Sequence, residues 1–218
     1  MLSQFDFVNH YFLGVSSLFA IVNPFSSVPL FLSLTAGMSS GERRNQALRA
    51  AFYAAIIMVV TLFLGAAILG FFSISIAALR VAGGLIVAVL GFRMLFPDPV
   101  PATPQVGESD RELRRDYALI PLALPSLAGA GTIALVMTYS TNLAELPTRT
   151  AKLEGYAIAL AAIATVACLA ALILRASTGI ARRLGGNGLE ALTRIMGLLM
   201  VCIGIQFIGN GVKEFFNL

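Results

Sequence analysis

The chain has 218 residues, of which 58% are hydrophobic and 12% charged, and its formal net charge is +4. A soluble domain has about 45–50% apolar and roughly 25% charged residues, so this composition excludes most cytosolic enzymes and disordered regulators. The arginines stand in short loops between apolar runs. This pattern is typical of the positive-inside bias of membrane proteins, so we expect a lipid bilayer as partner and no nucleic acid.

Apolar runs long enough to cross a bilayer, which takes about 20 residues, follow one another along the chain. The stretch 50–92 is long enough for two spans, with a turn near Gly70–Ser75. Helices are expected because lipid offers backbone groups no other partner outside a closed barrel. The fold class is therefore predicted to be all-α, a polytopic membrane protein. Its six predicted transmembrane helices are 7–34, 47–71, 74–95, 117–140, 153–175 and 190–212.

The first span contains two prolines, Pro24 and Pro29, with Asn23, Ser26 and Ser27 around the first of them. Proline lacks an amide hydrogen and clashes with the preceding helical turn, so we predict that the helix is broken here. A break frees carbonyls at the end of one half-helix and amides at the start of the next. Ser26 and Ser27 are predicted to cap the second half-helix.

Residues 97–115 are rich in proline and charge and are predicted to form a linker that need not fold. The predicted organisation is a first three-helix repeat at 1–96, a cytoplasmic linker at 97–116 and a second, inverted three-helix repeat at 117–218. The two halves resemble each other, since Arg80 aligns with Arg194 and Gly83 with Gly197. Inverted repeats with matching breaks are typical of secondary transporters, and duplication without transport is the alternative.

The fourth span carries the second predicted break. Two prolines, Pro121 and Pro125, precede Gly129, Gly131 and Thr132. The N-terminus of a half-helix suits a carboxylate, while freed carbonyls and the Asn23 amide suit an ammonium group, so opposed half-helices can hold a zwitterion. The alternative is a pair of kinked helices whose polar side chains only heal the kinks. The predicted substrate-binding residues are Asn23, Pro24, Ser26, Ser27, Pro125, Gly129, Gly131 and Thr132.

Two arginines, Arg80 and Arg194, stand several residues inside the third and sixth spans. Intramembrane charge is costly and usually functional, but both are near helix ends and can snorkel, so gating and end-anchoring stay open. No Asp or Glu lies at mid-span, no metal-ligand spacing exists, and no cofactor is expected. Coupling to Na+, coupling to H+ and uncoupled facilitation all stay open. Cys168 and Cys202 are predicted to be buried and reduced.

The motifs of the broken spans resemble those of the MarC family of integral membrane proteins, also described as a neutral amino acid transporter family. Residues 23–35 read NPFSSVPLFLSLT and resemble its signature N-P-x-x-x-x-P-x-F-L-x-L-T, and residues 121–131 resemble its second signature. Residues 80–84 and 91–95 resemble its third span, and residues 194–199 and 206–211 its sixth. The family usually has glycine where Ser26 stands and proline where Ala130 stands.

The resemblance implies six spans in a bacterial-type cytoplasmic membrane and transport of small neutral amino acids such as alanine or glycine. We therefore expect a secondary transporter that works by alternating access, with a small neutral amino acid held between the broken helices. The alternatives are a non-transporting membrane scaffold and an efflux-associated protein for another small solute. An enzyme is not expected, because no nucleophile–base pair is apparent.

The orientation follows from the arginines of the loops after spans one, three and five. These loops carry ten arginines: Arg43, Arg44, Arg49, Arg93, Arg111, Arg114, Arg115, Arg175, Arg182 and Arg183. The opposite side has only Arg149, Lys152 and Lys213. We expect a multi-pass protein of the inner cell membrane with both termini outside and the arginine-rich loops in the cytoplasm. The oligomeric state stays open.

Overall fold

A computed structural model of the chain describes residues 4–96 and 116–216, with side chains from residue 8 onward. The described residues form helices and turns without strands, which confirms the all-α class. The helices are α1 Gln4–Val22, α2 Ser27–Leu34, α3 Ser40–Phe71, α4 Ile76–Leu95, α5 Ala118–Leu127, α6 Ala130–Ala144 and α7 Arg149–Phe215. Apart from Asp116, the predicted linker 97–116 lies outside the described residues.

Three of the long helices begin at a hydroxyl side chain that caps their first amides. The hydroxyl of Ser39 accepts from the Glu42 amide at 3.3 Å, that of Ser75 from the Ala78 amide at 3.1 Å, and that of Thr148 from the Ala151 amide at 3.2 Å. Such caps satisfy amides that have no partner inside the helix. The α3–α4 turn falls between Phe71 and Ile76, where the sequence predicts it.

Three helices, α3, α4 and α7, are long and apolar enough to cross a membrane. The pairs α1–α2 and α5–α6 also pass this test when each is taken as one broken segment, with bends of 53° and 67°. The described helices therefore supply up to five segments of this kind. The described part of the chain thus contains enough long apolar helix for a polytopic membrane protein.

Helix α7 holds both the fifth and the sixth predicted span. Its 67 residues would be about 100 Å long if straight, several times the roughly 30 Å of a hydrocarbon core. The helix bends at Gly185, whose φ of 65° is left-handed and suits a residue without a Cβ. The sequence predicts a loop over 176–189, but these residues are helical apart from Gly185, even though the segment also contains Gly179, Gly186 and Gly188.

Helix α4 packs against the part of α7 after the bend in an antiparallel glycine seam. A Cβ on Gly84 would lie 2.6 Å from the Gly204 carbonyl oxygen, and one on Gly91 would lie 2.6 Å from the Gly197 carbonyl oxygen. Further along, a Cβ on Gly211 would lie 2.8 Å from the carbonyl oxygen of Ala77. Numbers rise along α4 as they fall along α7, and the backbones approach as closely as small residues allow.

Helix α3 packs against helices of the second half. The Ser140 hydroxyl of α6 accepts the Ala66 amide at 2.9 Å, and the rings of Phe63 and Tyr156 stack with centroids 5.3 Å apart. At the start of α3, Arg49 forms an ion pair with Asp116 at 2.7 Å. These contacts place the second broken segment, α5–α6, and helix α7 beside α3.

The two cysteines are free and exposed on the bundle surface, so the expectation that they are buried is wrong. Cys168 and Cys202 stand in apolar parts of α7, and this helix has apolar residues both on the side packed in the core and on the side facing outward. In a membrane protein both faces are apolar. Composition alone therefore does not separate a lipid-facing cysteine from a core cysteine.

Candidate binding site at the two helix breaks

The first break lies at residues 23–26, between α1 and α2. Asn23 directly follows α1 and has a φ of 42°, a left-handed conformation that asparagine tolerates better than most residues. Ser26 stands at the N-cap of α2, but its hydroxyl does not cap that helix. It instead donates to the freed Asn23 carbonyl oxygen at 2.8 Å. The capping role predicted for Ser26 is therefore wrong, and the side chain satisfies the other side of the break.

The second break covers α5, whose prolines prevent a regular helix. Ile120 and Leu124 have extended backbones, with ψ of 123° and 125°, because each precedes a proline. Wide backbone turns result, and the Ala128 amide bonds to the Ala123 carbonyl oxygen at 2.8 Å. The break therefore lies in the first half of the predicted fourth span, and the regular helix α6 follows it.

Gly129 separates α5 from α6 and must be a glycine for a local reason. A Cβ at this position would lie 2.6 Å from the carbonyl oxygen of Pro125. Gly129 is the N-cap of α6, and no side chain caps that helix. The first backbone bond of α6 joins the Ile133 amide to the Gly129 carbonyl oxygen at 3.0 Å. The amides of residues 130–132 thus form a helix N-terminus, which carries a partial positive charge.

A hydrogen bond joins the two breaks directly. The hydroxyl oxygens of Ser27 and Ser126 lie 2.7 Å apart, and Ser27 is 1% exposed. Ser27 therefore does not cap α2 with this contact but connects the start of α2 to α5. The Thr132 hydroxyl, also buried, donates to the Leu127 carbonyl oxygen at 3.1 Å and stays within its own segment.

A cavity of about 340 Å³ lies where the two breaks meet. Six of the eight predicted binding residues line it: Asn23, Ser26, Pro125, Gly129, Gly131 and Thr132. Pro24 and Ser27 do not line it. The other lining residues, which the sequence analysis did not assign to the binding site, are Ile21, Val22, Leu90, Arg93, Met94, Ser126 and Met200.

The Asn23 side chain is the most unusual polar group of the cavity. It is 2% exposed, and its amide nitrogen faces the sulfur atoms of Met94 at 3.7 Å and Met200 at 3.8 Å. Its Oδ1 atom has no hydrogen-bond partner among the described residues. A buried polar atom without a partner costs about 1–3 kcal/mol. The unpaired acceptor thus belongs to a residue that lines the cavity, and the Oδ1 atom itself is buried.

Arg93 is the one charged residue among those described that line the cavity. It stands in the last turn of α4 and is exposed, whereas Asn23 is buried. The cavity thus runs from an accessible cationic side chain to a buried amide. The sequence analysis used Arg93 only as a marker of orientation. The sequence shows that Arg93 lies near the end of the third span. Whether its side chain faces the cavity depends on how α4 is rotated in the bundle, which the sequence does not show.

Neither Arg80 nor Arg194 lines this cavity. Arg80 forms an ion pair with Glu214 and donates to the Asn142 side-chain oxygen at 3.1 Å, so it connects α4, α6 and α7. Arg194 pairs with Glu190 of its own helix at 2.6 Å. The two arginines, aligned in the sequence, therefore have unlike partners.

A second cavity, of about 530 Å³, lies near Arg80 at the start of α4. Glu145 and Glu214 are among its lining residues, and it shares no lining residue with the first cavity. Among the residues that the structure describes, no group of three His, Cys, Asp or Glu side chains could hold a metal ion.

Long apolar helices, two broken segments and a cavity between them define a helical integral membrane protein. The chain belongs to the MarC family: residues 8–216 match the model described as MarC family integral membrane protein. It is 41% identical to the inner membrane protein MarC of Escherichia coli strain UTI89. It is 40% identical to the proteins of the same name from Escherichia coli strain K12 and Shigella flexneri. Each comparison spans 211 residues and covers 93% of both chains. No solved structure shows a significant match.

Proposed function

We propose that this MarC-family protein is a secondary transporter of small neutral amino acids, such as alanine or glycine, in the inner membrane. The observation that carries the proposal is the cavity at the meeting point of the two breaks, which is lined by Asn23, a buried residue whose Oδ1 atom has no hydrogen-bond partner among the described residues. A membrane scaffold gains nothing from leaving such an atom unpaired, whereas a binding site does.

The size and chemistry of the cavity support a compact zwitterion. Its volume of about 340 Å³ is at the small end of the range for ligand pockets, which is about 300–1,000 Å³. The Asn23 Oδ1 atom can accept from an ammonium group, and the amides that start α6 can donate to a carboxylate. Met94 and Met200 supply soft apolar walls that suit a short aliphatic side chain.

The glycine seam supports an inverted-repeat origin of the two halves. Gly91 lies seven positions after Gly84, and Gly204 lies seven positions after Gly197. The contacts pair Gly84 with Gly204 and Gly91 with Gly197, so an exchange of the two helices maps one contact onto the other. This match is shifted by one residue from the alignment of Arg80 with Arg194. A six-span inverted repeat would give such a self-complementary contact between its third and sixth spans.

The polar contacts at the two ends of α4 support alternating access. At the Arg80 end, the contacts of Arg80 with Glu214 and Asn142 hold three helices together. At the Arg93 end, Arg194 contacts only its own helix, and the cavity reaches the exposed Arg93. With the arginine-rich loops in the cytoplasm, this arrangement corresponds to a state with cytoplasmic access, and opening of the Arg80 end would give the other state.

Coupling to Na+ or H+ is a separate part of the proposal. The hydroxyls of Thr132 and Thr138 donate to carbonyl oxygens of their own segments, at 3.1 Å and 3.0 Å. The hydroxyl oxygens of Thr132 and Thr138 can still accept a hydrogen bond or bind a cation. No cofactor and no enzymatic step is needed for the proposed transport.

The experiment is counterflow exchange in proteoliposomes. Vesicles loaded with unlabelled alanine, glycine, serine, leucine or glutamate are diluted into the corresponding labelled amino acid, with and without a sodium gradient or a pH gradient. The proposal predicts exchange of alanine and glycine above that of leucine and glutamate. Absence of exchange with every amino acid, in protein shown to be folded by its thermal unfolding, would contradict the proposal and favour a scaffold or another solute.

A further inference from the structure

Building on the transport function proposed above, we propose that Arg93 recognises the carboxylate of the substrate at the mouth of the cavity. The site then selects molecules that carry a free carboxylate beside an ammonium group. Amides and esters of the same amino acids are excluded.

The position of Arg93 is the first argument. Arg93 and Asn23 both line the cavity, and the neighbour of Arg93, Met94, has its sulfur atom 3.7 Å from the Asn23 amide nitrogen. The cationic group and the unpaired acceptor therefore belong to one small site. A zwitterion can place its ammonium group at Asn23 and its carboxylate toward Arg93 and the N-terminus of α6, whose residues Gly129 and Gly131 line the same cavity.

The availability of the guanidinium is the second argument. Four other arginines of the described chain are held by protein groups: Arg43 by Thr178 and the Thr35 carbonyl oxygen, Arg49 by Asp116, Arg80 by Glu214, and Arg194 by Glu190. Arg93 has no hydrogen bond or ion pair with any residue that the structure describes.

The charge of the site is the third argument. No acidic residue lines the cavity in the described structure, so the positive charge of Arg93 is not balanced there. A guanidinium presents paired N–H donors that match the two oxygens of a carboxylate. The N-terminus of α6, which no side chain caps, adds partial positive charge to the same cavity. The chemistry of the cavity therefore suits a ligand with one carboxylate and one ammonium group that donates hydrogen bonds.

A lipid phosphate offers the same oxyanion chemistry, because an arginine in the last turn of a membrane helix can reach the headgroups. The two sources differ in what they predict. A lipid contact stabilises the helix end but leaves the choice between substrates unchanged. A substrate contact makes the carboxylate essential, and that requirement disappears with the arginine.

The test is counterflow of labelled alanine by full-length wild type, Arg93→Lys and Arg93→Gln in proteoliposomes of one lipid composition. Alaninamide and propionate serve as unlabelled competitors. The matched control is Arg44→Gln, an exposed arginine in the first turns of α3 that does not line the cavity. Thermal unfolding in detergent verifies that each variant is folded.

We expect Arg93→Gln to raise the alanine concentration for half-maximal exchange by roughly ten- to a hundredfold, with Arg93→Lys in between and Arg44→Gln equal to wild type. Wild type should prefer alanine to alaninamide, and Arg93→Gln should lose most of this preference. If wild type exchanges alanine and Arg93→Gln has the same half-saturating concentration, the assignment of Arg93 is wrong but the proposed function stands. The same holds if alaninamide competes with labelled alanine as well as unlabelled alanine does in wild type. Lack of exchange by wild type with every amino acid overturns the proposed function and this assignment together.

Discussion

The hydroxyl oxygens of Ser27 and Ser126 lie 2.7 Å apart, and this hydrogen bond joins the two broken segments of the molecule. Ser27 begins α2 after the first break, and Ser126 follows Pro125 in the second. The bond therefore holds the start of α2 against α5, beside the cavity that Ser126 lines. A carrier that moves one broken segment against the other must keep or break this contact in each cycle.

The first prediction concerns this serine pair. Ser27→Ala and Ser126→Ala should each slow alanine exchange, and the double variant should be no slower than the slower single variant, because both changes remove one bond. In thermal unfolding, the coupling free energy should be about 0.6 kcal/mol and at most about 1.7 kcal/mol, as for hydrogen bonds between membrane helices. Ser33→Ala is the control, since Ser33 is exposed and bonds only to the Leu30 carbonyl oxygen of its own helix. Additive effects on exchange would contradict the prediction.

The second prediction separates the backbone of Asn23 from its amide. Asn23→Gly keeps a residue that adopts a φ of 42° without strain, but it removes the unpaired oxygen. We expect the melting temperature to stay within a few degrees and alanine exchange to fall by roughly tenfold or more, the value of one hydrogen bond to a charged group. Asn23→Leu should lose exchange and stability together, because a left-handed conformation costs such a residue about 1–2 kcal/mol. Full exchange by folded Asn23→Gly would remove Asn23 from the site.

Local chemistry explains which parts of this fold were predictable. The breaks at Asn23–Ser26 and at Pro121–Pro125 follow from proline and its neighbours, and the turn before Ile76 follows from small and polar residues between two apolar runs. Each of these signals acts within a few residues of its own position. That six of the predicted residues line one cavity follows from these breaks meeting in space.

The features that were not predicted depend on how helices are rotated and on competing partners. Arg93 lines the cavity only because α4 presents that face to the breaks, and the exposure of Cys168 and Cys202 likewise depends on which side of α7 faces outward. Ser26 had two partners in reach, the amides of α2 and the freed carbonyl oxygen of Asn23, and it bonds to the carbonyl. Sequence identifies the hydroxyl but does not rank such partners.

The third prediction concerns the glycine seam between α4 and α7. Gly84→Ala and Gly204→Ala should each lower the free energy of unfolding by about 1–3 kcal/mol, because the added Cβ would lie 2.6 Å from a facing carbonyl oxygen and force the helices apart. Gly209→Ala in the same helix is the matched control. Nothing lies within 4 Å of its added Cβ, so its higher helix propensity should leave stability unchanged or raise it by up to about 1 kcal/mol. Equal effects of the three changes, measured by thermal unfolding in detergent, would contradict the close packing.

The fourth prediction uses the unlike partners of Arg80 and Arg194. Arg80→Gln should lower alanine exchange by about fivefold or more, because it releases the contact that holds three helices at one end and so shifts the equilibrium between the two access states. The exchange of both charges, Arg80→Glu with Glu214→Arg, should recover part of this loss. Arg194→Gln should stay within about twofold of wild type, since an exposed pair within one helix contributes only about 0.3–0.5 kcal/mol. A larger loss in Arg194→Gln than in Arg80→Gln would contradict the proposed gating.

The fifth prediction concerns orientation and starts from a chain in which both exposed cysteines, Cys168 and Cys202, are replaced by serine. The arginine-rich loops should lie in the cytoplasm, because positively charged loops are retained on that side. A cysteine at Glu108, in the predicted linker, should therefore react with a membrane-impermeant maleimide only after the inner membrane is permeabilised. A cysteine at Ser73, which is exposed in the α3–α4 turn, should react when only the outer membrane has been permeabilised and the inner membrane is intact. The reverse pattern would invert the molecule, and the access state proposed for the Arg93 end would then face outward.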